Sequence, residues 1–213
     1  MKHIFLLLLA FPLFFACKDS VKKAGHIQIE AAIYHDPTGD LYNSDLVPIS
    51  DLYFMGNRFV EEVPYQNDSL GVKRFALIEN GKATFSNSLD QLLTSNEIKE
   101  ISEKKYGALF TPPPVPDYDE REVIADTAFG GYNYKRIRIV TDSAYSVFYI
   151  HKTDTLIPFS LAPQIDKDYK GILNRIDTYD KVNDRFVSLR MTVTDTIPQS
   201  IYSIIKNSKN EKN

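Results

Sequence analysis

The sequence holds a single cysteine, Cys17, so no disulfide within the chain can staple its fold. It has nine glycines and neither a Gly-x-Gly-x-x-Gly nor a Gly-x-x-x-x-Gly-Lys stretch, which removes the common phosphate cradles. The Gly-x-Ser-x-Gly turn of serine hydrolases is missing as well. After the first few residues only His26, His35 and His151 remain, and none is spaced for a His-x-x-x-His or Cys/His metal site. Neither charge sign dominates: 25 basic residues face 28 acidic ones, which argues against a nucleic-acid polyanion as main partner. No apolar run reaches the ~20 residues that a membrane-spanning helix needs. What is present is 43% hydrophobic residues, with 13 Tyr and 13 Phe, too much aromatic surface for a disordered chain. A chain of 213 residues is long enough for one domain with a real core.

The start of the chain reads as an address. Met1-Lys2-His3 is a short basic start, and residues 4–15 form an apolar run broken only by Pro12, the pattern of a signal peptide over residues 1–16. Phe14-Phe15-Ala16-Cys17 resembles the lipobox of bacterial lipoproteins, with Phe14 where an aliphatic residue is usual. That resemblance implies a diacylated Cys17 that becomes the new N-terminus. A lone thiol in an oxidising compartment acquires a purpose if it carries lipid, and more than one acyl chain makes anchoring stable. Residues 17–25 are then lipidated cysteine and tether, because Lys18-Asp19-Ser20-Val21-Lys22-Lys23 is charged and lacks apolar periodicity. By resemblance to Gram-negative sorting rules, Lys18 after the cysteine implies the outer membrane.

The remainder reads as one β-rich domain over residues 26–206. Ile27, Ile29, Ala31 and Ile33 alternate with polar or small neighbours, the period-two pattern of a half-buried strand. Residues 52–54 and 59–63 flank Gly56-Asn57, and residues 72–78 and 83–85 flank Asn80-Gly81, giving two hairpins. Ser88 with Gln91 and Thr94 with Glu97 fit capping boxes, so a helical insertion is expected over residues 88–107, with Gly107 as its stop. Residues 111–116 contain four prolines and should form a polyproline II connector that divides the chain. Residues 117–122 carry four acids, without the Asp-x-Asp-x-Asp-Gly spacing of a calcium loop, and read as a solvated face. Four β-rich stretches follow at residues 132–140, 144–150, 172–179 and 185–194. Ile197, Ile201, Ile204 and Ile205 recur at helical spacing, so a short helix should end the domain before a tail at residues 207–213.

The fold class expected is therefore α+β: a mainly antiparallel sheet, meander or half-barrel, with the helical insertion and a C-terminal helix. Gly131-Tyr132, Ile157-Pro158, Pro163 and Lys170-Gly171-Ile172-Leu173 resemble the C-terminal half of the GLPGLI family of exported proteins, over roughly residues 125–195. More distantly they resemble the half-barrel of lipoprotein carriers. Lys-Asp-Tyr-Lys stands where that family's Gly-Leu-Pro would be, and the resemblance supplies no catalytic residues. Ser102 and Lys105 match a bare Ser-x-x-Lys, without its companion motifs. The pairs Asp117/Asp119, Asp166/Asp168 and Asp177/Asp180 are candidates for acid/base work, although Asp is also common in turns. Tyr132, Tyr134, Tyr145, Phe148, Tyr149, Phe159, Tyr169 and Tyr179 crowd one half of the chain and could line a sheet face. Together these readings favour a membrane-anchored, non-catalytic envelope lipoprotein with an apolar groove for lipid or peptide, needing no cofactor or metal. The alternative is a carboxylate-dependent hydrolase of the envelope.

Overall fold

The computed structural model describes residues 20–34, 44–64 and 73–208. Cys17, the signal peptide expected over residues 1–16, His35 and residues 209–213 lie outside the described residues. The first half supplies β1 (Ser20–Val21), β2 (Ala24–Tyr34), β3 (Ser44–Met55), β4 (Arg58–Pro64), β5 (Lys73–Glu79), β6 (Lys82–Ser86) and β7 (Glu97–Glu100). The second supplies β8 (Glu122–Phe129), β9 (Tyr132–Val140), β10 (Ala144–Lys152), β11 (Thr155–Leu156), α1 (Pro163–Tyr169), β12 (Gly171–Asp180), β13 (Arg185–Thr194) and α2 (Gln199–Asn207).

Eleven strands form one open antiparallel sheet in the order β7-β6-β5-β4-β3-β2-β13-β12-β10-β9-β8. Two meanders, one from each half of the chain, are joined by the pairing of β2 with β13, where Ile29 stands opposite Met191. The hairpins sit where the turn residues place them. Asn80 and Gly81 both have positive φ, 51° and 77°, as a two-residue type I′ turn requires.

Period two puts Phe54, Phe59, Ile78 and Phe85 on one face of the sheet with Ile27, Ile29 and Met191, the main core. Ile137, Phe148, Ile150 and Leu173 continue that face beneath Ile165 of α1. On the opposite face Val60 and Leu77 meet Leu92 and the Ile201 and Ile205 side of α2. The C-terminal helix therefore lies where its isoleucine spacing implied, with Pro198 at its N-cap.

Three expectations are corrected. Residues 88–107 hold no α-helix: they make single 3-10 turns at Leu89–Gln91 and Ile101–Glu103, with exposed strand β7 between them. Of the two hydroxyls read as helix caps, Ser88 makes no cap bond and Thr94 bonds the backbone in a turn. Thr94 Oγ1 donates to the Gln91 carbonyl at 3.3 Å, and Ser95 Oγ donates to the Phe85 carbonyl, which turns the chain back onto β6. Leu92, fully buried, plugs the second face. Residues 20–25 are also not a free tether, since β1 pairs with β11 and β2 begins at Ala24. The third concerns the proline-rich stretch, which does not divide the chain. β7 and β8 are opposite edges of the sheet, so residues 101–121 must cross about ten interstrand gaps, roughly 48 Å. An extended, proline-stiffened strap suits that span. Phe110 packs edge-on between Phe59 and Phe159, with centroids 4.9 and 5.4 Å away, and Val115 and Tyr118 reach the core beneath α1.

Candidate functional site

The strap is locked to the sheet by a buried ion pair. In Phe59-Val60-Glu61-Glu62-Val63 the inward phase falls on Phe59, Glu61 and Val63, so alternation alone carries a carboxylate into the core. Its side chain is 0% exposed, as Lys104 is at 2%, and Lys104 Nζ lies 2.7 Å from Glu61 Oε2. Ser50 Oγ and the Ala108 amide each donate to Glu61 Oε1 at 2.7 Å. Lys104 Nζ also donates to the carbonyls of Tyr106 and, at 2.7 Å, Ala108. Burial pushes the Glu61 carboxyl up and the Lys104 ammonium down, with their mutual attraction opposing both shifts. Gly107 has φ +71° and no room for a side chain: a Cβ there would fall 2.2 Å from Glu61 Oε1. Its glycine serves this close approach and ends no helix.

Beside the lock, between the strap and the ends of β4, β5 and β6, a cleft of about 700 Å³ opens. Its apolar lining includes Ile49, Val63, Phe75, Ala76 and Phe85, and Arg74, Lys99, Lys104 and Lys105 bring cations to it against Glu103. Glu61 offsets Lys104, and Glu97 pairs with Arg74 and lies 3.7 Å from Lys99. Four cations thus stand against three carboxylates. Arg74 and Lys99 also sit over the Phe85 ring, at 4.7 and 5.8 Å from its centroid. The cleft exceeds the ~300 Å³ at which small-molecule pockets begin, and an apolar floor with few polar groups is how such pockets are built.

Other candidates have different surroundings. Asp166 accepts from Ser160 Oγ and, at 2.7 Å, from the Leu173 amide, and so ties α1 to β12; burial raises its carboxyl. Asp168 accepts from Tyr118 Oη at 2.9 Å, which helps push that phenol to about 12 after the larger effect of burial. Asp177 accepts from Arg175 at 2.6 Å, and Asp180 accepts from the amides of Val182 and Asn183 in the β12–β13 turn. Asp117 and Asp119 share a hollow of about 520 Å³ with Pro114, Tyr118 and Glu120. That concavity uses the strap and the acidic run, where sequence placed no ligand site. Ser102 and Lys105 are exposed, and the lysine that matters to the fold is Lys104. His26 pairs with Asp51 at 2.7 Å and stacks on Tyr53, while His151 meets Tyr132. Among the described residues no three His, Cys, Asp or Glu side chains are grouped to hold a metal.

The crowd of aromatics divides. Phe148 and Phe159 are core. Tyr169 stands 5.6 Å from Lys135 Nζ and accepts from Arg121 Nε. Tyr134 stacks on Phe129 at 4.2 Å, and Arg175 lies over both Phe129 and Tyr149, a polar-aromatic patch on the sheet face opposite α1. The cleft itself draws on the other half of the chain. Sequence offered one signal for the lock, a charged residue at an inward strand position, and none for the pairing of Glu61 with Lys104.

No protein-family model matches the chain, and no curated protein does. Among solved structures, a DUF1329 family protein from Desulfovibrio piger ATCC 29098 is similar at a TM-score of 0.31 and 10% identity, over 86% of this chain and 92% of that one. A structure of PNGF-II in the C2 space group is similar at a TM-score of 0.33 and 10% identity, over 89% of this chain. The match spans 30% of the PNGF-II chain.

Proposed function

We propose that this protein is a membrane-anchored, non-catalytic lipoprotein of the bacterial envelope that binds an amphiphile in the cleft under its strap. Cys17 carries the anchor. The ligand's apolar tail lies against Val63, Phe75, Ala76 and Phe85, and its head, an anion, meets the surplus cation at Arg74, Lys99 and Lys105. The observation that carries this reading is the cleft of about 700 Å³ with an apolar floor and cationic lining. The carboxylate-hydrolase alternative has less to draw on, because Asp166, Asp177 and Asp180 are each held in a hydrogen bond within the fold.

Anchoring and binding are tested separately. Cys17→Ser should block acyl incorporation and leave the longer precursor; normal cleavage and membrane retention of that variant would end the lipoprotein reading. Protein extracted in mild detergent should carry an anionic amphiphile detectable by mass spectrometry after desalting. A ligand-free spectrum that stays so after incubation with fatty acids would end the binding reading.

A further inference from the structure

The lipid-bearing cysteine and the domain are separated by very little free chain. Cys17 precedes Ser20 by three residues, which extended reach at most ~11 Å. From Ser20 onward the backbone is fastened. Ser20 and Val21 pair in parallel with Thr155 and Leu156, and the Lys22 amide donates to the Leu156 carbonyl at 2.9 Å. The Gly56 amide donates to the Lys23 carbonyl at 2.7 Å, and Lys22 Nζ lies 2.6 Å from Asp195 Oδ1. These bonds hold the entering chain at one end of the sheet, where Ala24 stands opposite Met55 and Met55 opposite Arg58.

The cleft lies at the other end of the same strands. From Arg58, β4 runs to Val63 and Pro64 in the cleft wall, five to six residues and about 17–20 Å further along the strand. Val21 and Leu156, partners in register, are 59% and 46% exposed beside the entering chain. Phe129 and Tyr132, also exposed, flank the Gly130-Gly131 turn at that end, since Tyr134 pairs with His151 just before β11.

We propose that the end of the sheet bearing β1 and β11 rests on the surface of the anchoring bilayer, with Val21 and Leu156 against it, and that the cleft opens away from that bilayer. This orientation rests on the lipid-anchor reading and deepens it. The cleft then cannot draw its ligand from the membrane that holds the protein. It receives the amphiphile from the aqueous side, as a monomer or from a soluble carrier, because a leash of three residues cannot invert a domain whose first strand is already bonded at the membrane end.

The chain contains no tryptophan, so single tryptophans report position without interference. The full acylated protein is placed in vesicles containing dansyl-phosphatidylethanolamine, with Val21→Trp, Leu156→Trp or Tyr106→Trp. Energy transfer to the headgroups should be severalfold stronger from Val21→Trp and Leu156→Trp than from Tyr106→Trp in the cleft lining. If either variant near β1 misfolds, the other carries the comparison. Equal or stronger transfer from Tyr106→Trp in acylated protein overturns the orientation and leaves the anchor standing. Protein that intact mass shows to be unacylated and that floats free of vesicles overturns both.

Discussion

Glu61 and Lys104 show how an ion pair can matter more for position than for net stability. Removing one partner strands a charge in the core, so Glu61→Ala should cost about 3–5 kcal/mol in urea unfolding. Glu61→Leu with Lys104→Met removes both charges and should come out near neutral or stabilising, with the strap then free to choose its register. The pair also has a pH signature. Burial raises Glu61, so the folded state holds a proton that the unfolded chain releases, and stability falls as pH climbs from the ordinary carboxylate range through that raised value. Burial lowers Lys104, so the folded state releases its proton early, and stability rises from that lowered value up to the ordinary lysine range. Relative to wild type, the double variant should lack both slopes when urea midpoints are followed with pH. A profile parallel to that of wild type would mean that the pair does not titrate as its burial implies. Gly107→Ala should be more damaging than an exposed turn substitution, because the added Cβ meets Glu61 Oε1 in a left-handed backbone. An unchanged urea midpoint in Gly107→Ala would deny the close approach.

At the scale of elements, legibility followed the reach of the interactions. Val187, Leu189, Met191 and Val193 alternate with polar neighbours, and β9 and β13 occupy the expected bounds 132–140 and 185–194. Asn80-Gly81 specified its turn locally, through two residues that tolerate positive φ. Residues 88–107 misled because Ser88 and Thr94 suit a helix cap and a turn equally, and the choice was made by distant groups: Leu92 filling a space beside α2, and Ser95 reaching the Phe85 carbonyl. β8 was hidden for a related reason, since its exposed side chains and its irregular pairing between Ile124 and Thr127 blur any period. α2 closes the second face, so Ile201→Ala with Ile205→Ala should destabilise by several kcal/mol, at ~2–5 kcal/mol for each buried isoleucine. A thermal midpoint within a degree or two of wild type would show that the helix is only laid on the surface.

In the whole molecule the two meanders depend on each other. β2 from the start of the chain pairs with β13 near its end, and the strap crosses from one sheet edge to the other over the main core. Loop-closing contacts of that span make folding slow and all-or-none in character, and they place the cleft where strap and sheet meet. The site was the least legible part of the sequence, because Glu61, Lys104, Gly107 and Arg74 are scattered over more than forty residues and only the fold brings them together. The most direct test of the account is titration of the full chain with parinaric acid, a fluorescent fatty acid, beside Val63→Phe with Ile49→Phe, which fills the cleft from its half-buried wall. Saturable binding of one molecule per chain, lost in the filled variant at unchanged urea midpoint, is the result expected. Absence of saturable binding, or binding that the filled variant retains, would contradict it.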